Sequence, residues 1–551
     1  MDINFIDQLE YWTKISPNKP IFSFINENKE ITETYTYLQF ETKTDKLAKY
    51  LLENIKEDKV VLVYPPGLDF LIAFVACLKA KIIPVPVYPP NPNYLKKDLI
   101  MFSNIVKDAG IKIALTNKEY NWGSMIGNII SFFQYKWPSL NWVVTDDKEG
   151  KNITLPKIRM NNIAFIQYTS GSCSLPKPVI IRHRNLTHNL DTIQKALDNN
   201  EDSVDVSWLP QYHDMGLIGS RLCTVAYGGT GVYISPFTFI RKPVLYLELC
   251  SQYKCTHIQG PNFMYKLMAR KWLALKNKPS IDLSSLYHIF NAAEPINYQD
   301  YKYFYETFKE YGLKQEALAT GYGLAESVVY VCDSGHNNIR GGKLLNVDIS
   351  TIEDEHIIEI LPSGGKEVMG CGIPPFRSDT DIKIVKDGYV LPELEVGEIY
   401  ISSPSVADEY NLFNIDDKVY MKSGDLGFIY HNELYITGRC KDLIILYGKN
   451  YYPQDFEWVI EQNNNIKGGT VGVFEDNEKI IAVMEVRDEN LSQDEYQEIA
   501  TKIRSEISSI FGVGIQLYLL KQKTVPKTTS GKISRQKCQK TYQSLKFLFK
   551  M

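Results

Sequence analysis

Five short runs rich in β-branched and aromatic residues, VVLVY (60–64), IIPVPVY (82–88), IKIALT (111–116), WVVT (142–145) and IAFIQYTSG (163–171), alternate with stretches long enough for helices. Parallel strands cannot be joined by a tight turn and need a crossover, usually helical, so this rhythm predicts βαβ units and a mostly parallel sheet. DFLIAFVACLKA (69–80) falls between the first two runs, where a right-handed crossover belongs. From about residue 439 the pattern changes to strand-like KIIAVMEV (479–486), helix-like DEYQEIATKIRSEISSIF (494–511) and strand-like IQLYLLK (515–521). In that helix Ile499, Ile503 and Ile507 recur every four residues, with Ile510 and Phe511 extending the apolar face. The expected fold is α/β: a large N-terminal body of mostly parallel sheets and helices over 1–438, then a small mobile α+β domain over 439–551.

With 551 residues and 44% hydrophobic content the chain can bury several cores. A net charge of -4, with both signs interspersed, offers no concentrated basic face and so argues against nucleic-acid binding. Nine cysteines lie scattered without a CxxC pair, a distribution that fits reduced thiols in a cytoplasmic protein. The opening MDINFIDQLEYW has no signal-peptide core. Phe70 to Leu78, the longest apolar run, falls far short of the ~20 residues of a membrane span. No stable membrane insertion is expected.

The stretch QYTSGSCSLPKP (167–178) places hydroxyls and a glycine ahead of Lys177. Consecutive backbone N–H groups, hydroxyls and one ammonium suit an oxyanion. Taken alone, such a stretch is as readily a surface loop. It lacks the Gly-Lys-[Ser/Thr] ending of a Walker loop, as TTSGKIS (528–534) lacks the first glycine of one. Nor does it match the Gly-x-Ser-x-Gly nucleophile elbow.

Eight stretches occur together in a characteristic order: YTSGSCSLPK (168–177), SWLPQYHDMGLIG (207–219), FNAAEP (290–295), GYGLAE (321–326), VGEIY (396–400), SGDLGF (423–428), TGRCKDLIILYGKNYYPQDFE (437–457) and PKTTSGKISR (526–535). In these the chain resembles the adenylate-forming ligase superfamily over nearly its whole length. The resemblance implies that a carboxylate attacks the α-phosphate of ATP, releasing pyrophosphate and leaving an acyl adenylate. It assigns Thr169, Ser170, Gly171, Ser172 and Lys177 to the β- and γ-phosphates, and Glu326 to Mg2+. Tyr322 and Gly323 would meet the adenine face, and Asn291, Ala292 and Ala293 its edge. Asp425 and Arg439 would hold the ribose, and Lys441 would be the hinge. Lys532 would be the mobile lysine that contacts carboxylate and α-phosphate oxygens. His213 would lie near the acyl carboxylate, although a satisfied core histidine fits the sequence as well.

Within the superfamily the chain is most similar to the fatty acyl-AMP ligases. VPVYPPNP (85–92), YHDMGLIG (212–219) and a polar segment containing SGHNNIRGG (334–342) ahead of CGIP (371–374) carry this likeness. It implies a fatty acid substrate, an insertion over 334–370 that disfavours coenzyme A, and an acyl carrier protein as acceptor. Met215, Phe263 and Met264 would approach the acyl chain, or belong to the core. Three positions depart from the pattern: Pro178 after Lys177, Cys173 for a usual threonine, and Lys81 for a usual glycine. Two other functions remain consistent with the sequence, an acyl-CoA ligase and a catalytically impaired nucleotide- or acyl-adenylate-binding homologue.

Overall fold

The structure is a computed structural model and describes residues 3–90, 95–121, 137–151, 153–169, 176–335, 342–348, 357–375, 378–408, 412–446, 449–461, 470–527 and 533–551. Four of the five expected runs form one parallel sheet, in the order Ile83–Pro86, Lys59–Leu62, Ile113–Thr116, Asn141–Val144. The crossover between the first two is helix Asp69–Ala80, whose residues from Phe70 onward are all buried. That burial explains why its sequence shows no polar face. Even Lys79 lies inside, its ammonium 2.7 Å from Glu41 and 2.6 Å from Asp45. Lys81 closes the helix in the left-handed region at φ 55°, so the usual glycine is replaced at a position where a side chain carries a strain of roughly 1 kcal/mol.

The fifth run departs from expectation. Strand Ile163–Thr169 pairs antiparallel with Lys177–Arg182 rather than joining the parallel sheet. The connection between them is too short for a crossover, which leaves an antiparallel pairing as the solution.

An eight-stranded sheet forms the centre of the molecule. Its order is Cys332–Asp333, Leu318–Tyr322, His288–Asn291, His257–Gly260, Val204–Ser207, Thr230–Tyr233, Pro20–Ile25, Ile31–Thr36. The inner six strands are parallel and the two edges antiparallel. Ligands in open α/β sheets gather at the carboxyl ends of parallel strands. Here those ends include Ser207, Asn291 and Tyr322, each inside a motif of the sequence, and Gly260, just ahead of Phe263 and Met264.

An antiparallel sheet that the sequence reading did not anticipate follows. The long strand Lys418–Tyr430 lies between Gly397–Ser402 on one side and Leu412–Ile415 and Glu433–Arg439 on the other. Beyond it, strands Val471–Asp476, Lys479–Glu485, Ile515–Leu520 and Phe547–Lys550 make a four-stranded sheet, and helices Pro453–Glu461 and Gln493–Phe511 close a separate core against it. On the second helix Ile499, Ile503, Ile507 and Phe511 are buried as expected. Ile510 is instead exposed, and Phe511 completes the last turn by stacking on Phe456 at 4.1 Å.

Candidate active site

Tyr322 ends its parallel strand and donates its hydroxyl to Asp425 Oδ2 at 2.7 Å. Asp425 stands directly across the antiparallel sheet from Arg439, whose Nε is 2.9 Å from the other carboxylate oxygen. The Asp425 backbone N–H donates to Ser423 Oγ at 3.0 Å. A buried carboxylate held from two sides keeps one orientation, and each oxygen retains a lone pair for a further donor. Gly323 leaves no room for a side chain, since a Cβ there would strike the Val329 carbonyl.

Asn291 ends the neighbouring strand. Its Nδ2 donates to Asn262 Oδ1 at 3.0 Å, while its own Oδ1 is buried without a partner among the described residues. Unsatisfied buried acceptors are uncommon and point to an absent donor. Ala292 is buried, and Ala293 takes the left-handed region at φ 72°.

Glu326 sits in a short 3-10 turn, Ala325–Ser327. Burial raises its carboxyl above the ordinary range, and the negative charges of Asp425 and Asp214 push in the same direction. A backbone hydrogen bond and the Arg439 guanidinium act the other way without cancelling the rise. Val328 follows at φ 66°, ψ -67°, with the Val329 N–H donating to the Ser327 carbonyl at 2.8 Å. This is the rare γ-turn of positive φ, strained for a β-branched residue. It fixes the chain just past the glutamate, and nothing in the residue types signals it. No group of three or more His, Cys, Asp or Glu among the described residues is arranged as a metal site. The Glu326 carboxylate could supply one anionic oxygen to a hard cation such as Mg2+.

His213 lies 2.6 Å from Asp214 through Nδ1, and Asp214 also accepts the Met215 N–H at 2.6 Å. Gln167, near the end of strand Ile163–Thr169, donates to the Tyr212 carbonyl at 3.0 Å. The histidine turn is thereby tied to the strand that leads into the Ser/Gly-rich stretch. Asp214, which sequence reasoning passed over, both holds the imidazole and acts on Glu326.

Thr169 and Lys177 face each other as the last and first residues of their strands, with Thr169 Oγ1 3.4 Å from the Lys177 carbonyl. Pro178 lies in the second strand, so its restriction of Lys177 to extended backbone agrees with the fold. Ser170, Gly171, Ser172 and Lys532 lie outside the described residues.

Met264 is completely buried, and its sulfur accepts the Trp208 indole N–H at 2.8 Å. Met215 is buried in the same core, with Phe263 packed at its edge. Phe263 meets Trp208 edge-on at 5.8 Å, and Trp208 stacks on Phe239 at 4.2 Å. Lys441 is in the exposed turn Cys440–Asp442 that follows Arg439.

The segment before Cys371 contributes strands Leu344–Val347, Ile360–Leu361 and Lys366–Met369. Lys366 forms an ion pair with the buried Asp455 of helix Pro453–Glu461. Tyr452 packs in one cluster with Val347, Phe428 and Tyr435.

A profile of the AMP-binding enzyme family matches residues 9–411. The medium-chain-fatty-acid acyl-carrier-protein ligase JamA of Moorena producens (strain JHB) is 31% identical, over 97% of this chain and 94% of its own. A chain from structural studies of fatty acyl-adenylate ligases of E. coli and L. pneumophila superposes with a TM-score of 0.87 at 28% identity, covering 98% of both chains. The L. pneumophila fatty acyl-adenylate ligase in complex with acyl adenylate and pyrophosphate is similar over 100% of this chain and 97% of its own, with 30% identity and a TM-score of 0.73.

Proposed function

Because the chain belongs to the AMP-binding enzyme family, we propose that it joins a fatty acid to ATP, giving fatty acyl-AMP and pyrophosphate, and passes the acyl group to the phosphopantetheine thiol of an acyl carrier protein. The observation that carries this reading is the Tyr322–Asp425–Arg439 constellation, coupled electrostatically to Glu326 at the carboxyl end of the parallel sheet. Asp425 can accept the ribose hydroxyls, Tyr322 can flank the adenine, and Asn291 Oδ1 can accept from the adenine amino group.

A fatty acid is already ionised at neutral pH, so the reaction needs no general base. One carboxylate oxygen forms a bond to the α-phosphorus as the bond to the bridging oxygen breaks, and the electron pair leaves with pyrophosphate. Catalysis then rests on alignment and on stabilising the developing charge. Mg2+ at Glu326 would supply charge neutralisation on the phosphates. Thr169, Lys177 and the 170–172 stretch would grip the β- and γ-phosphates, and Lys532 would reach the α-phosphate and carboxylate. His213, oriented by Asp214, would flank the carboxylate, while Met215, Phe263 and Met264 would border the acyl chain.

The division into 1–438 and 439–551, with rotation at Lys441, belongs to the same proposal. One orientation would serve adenylation and another would admit the carrier thiol. The ion pair between Lys366 and Asp455 supports a restraint by the inserted segment on that rotation, and so a preference for carrier protein over coenzyme A. A cytoplasmic location fits the eight described cysteines, all of them free, and no helix among the described residues is long and apolar enough to cross a membrane.

The test is product analysis by mass spectrometry after incubation with ATP, Mg2+ and fatty acids of graded length, with coenzyme A, with a phosphopantetheinylated carrier protein, or with neither. Acyl adenylate without an acceptor, and acylated carrier protein with one, are expected. Efficient acyl-CoA formation would overturn the acceptor, and absence of adenylate with every acid would overturn the activity.

A further inference from the structure

The side chain of Arg535 lies inside the C-terminal part of the chain and meets two carboxylates. Its Nε and Nη2 bind Glu457 Oε1 and Oε2 at 2.9 and 2.6 Å, the two-pronged geometry that suits guanidinium and carboxylate. Glu457 Oε1 also accepts the Val473 N–H at 2.9 Å, so this carboxylate is anchored within its own core. The remaining arm, Nη1, reaches Asp442 Oδ2 at 2.8 Å. Asp442 immediately follows Lys441 in the turn Cys440–Asp442.

Neutralising the guanidinium and locking its fork needs only Glu457. The second carboxylate comes from the hinge turn, and its effect is to join that turn to a distant part of the sequence. Arg535 is the first residue of helix Arg535–Thr541, and Cys538 of that helix is buried with Phe474 and Tyr518. Just upstream, the Ser534 N–H donates to the Pro526 carbonyl at 3.0 Å, and Lys527 and Ile533 pair as an antiparallel bridge. The residues on both sides of 528–532 are thus fastened to the helix that Arg535 begins.

We propose that Asp442 and Arg535 are a positioning pair that couples the hinge turn to the chain ends flanking Lys532, so that a change at Lys441 carries the lysine through two side chains. Otherwise the link would run through some ninety residues of intervening chain. The proposal rests on the roles given above to Lys441 and Lys532. Arg535 and Asp442 touch no substrate in it; they act by setting where Lys532 arrives.

Asp442→Asn keeps the shape and leaves the Arg535–Glu457 pair in place. Pyrophosphate release is measured on the full chain for wild type, Asp442→Asn, Lys532→Ala and the double variant, with melting temperature recorded for each. Asp442→Asn is expected to lower kcat for adenylation about tenfold, the scale of one coupled interaction, with KM for ATP changed less than about twofold. In the Lys532→Ala background the same substitution is expected to cost nothing further, because a residue acting through the lysine has no effect once the lysine is gone. An equal loss in both backgrounds, or a loss matched by the unfolded fraction, overturns the coupling. So does an unchanged rate in Asp442→Asn when Lys532→Ala is slow. An unchanged rate in Lys532→Ala would instead overturn the role of Lys532 itself, and the coupling with it.

Discussion

At the scale of single residues the candidate site is built from charged and polar groups that hold one another. Asp425 is gripped by Tyr322 and Arg439, and Asp214 orients His213 while repelling Glu326. Asp205 shows what burial does to a carboxyl even with a cation near it. Desolvation pushes it from its ordinary 3.8 up to about 7, against the Ser220 hydroxyl that donates to it and the nearby Arg221. Ser220 belongs to the π-helix Met215–Leu222 that begins just after His213 and Asp214, so this contact anchors the histidine turn. The sign of the linkage follows from the raised value. Folded chains keep the proton where unfolded chains have lost it, so the stability assignable to Asp205 declines as pH rises from about 4 to about 7. Asp205→Asn is expected to flatten that decline. Denaturation midpoints of wild type and variant should therefore differ in a pH-dependent way across this window, and parallel curves would contradict it.

At the scale of elements, the strands ahead of Cys371 meet the helix Pro453–Glu461 through the Lys366–Asp455 ion pair, while Tyr452 packs in one cluster with Val347, Phe428 and Tyr435. Any rotation at Lys441 must separate these contacts. Removing Lys366 alone leaves a buried uncompensated charge, costing on the order of 3–5 kcal/mol. Replacing both partners by apolar residues avoids that loss. The double variant Lys366→Met/Asp455→Leu is thus expected to keep the melting temperature within a few degrees while freeing the rotation. Coenzyme A should then become a measurable acceptor in the thioester assay. A variant that remains folded and still rejects coenzyme A would show that the ion pair does not govern acceptor choice.

At the scale of the whole molecule, the large sheets carry Tyr322, Asp425 and Asn291, and the C-terminal part has its own core. A fragment of residues 1–438 is expected to retain ATP binding in calorimetry, since Tyr322, Asp425, Glu326 and Asn291 all lie within it. Its adenylation rate should fall by about 10²- to 10³-fold, the scale of losing one preorganised charge from the reacting centre. Pyrophosphate release at the rate of the full chain would contradict the division of labour. Some loss of stability in the fragment is also expected, because Tyr452 and Leu443 would no longer cover the cluster around Phe428 and Tyr435.

The alternation of strand-like and helix-like runs was enough to determine four parallel strands and their first crossover, because periodicity and crossover geometry are local rules. Motif order likewise singled out Tyr322, Asp425, Arg439 and Glu326, which the fold brings near one another. Only the tertiary structure decided that Ile163–Thr169 forms a hairpin, that Ile510 faces solvent, and that an antiparallel sheet brings Asp425 to Arg439. It also revealed the contacts of Asp214, the strained turn at Val328 and the pairing of Arg535 with two carboxylates. A hydrogen bond to Asp442 from a residue more than ninety positions away, or a strained γ-turn past Glu326, leaves no trace in periodicity or composition. Such features exist only once distant segments are packed, since burial is what turns a solvated charge into a fixed one.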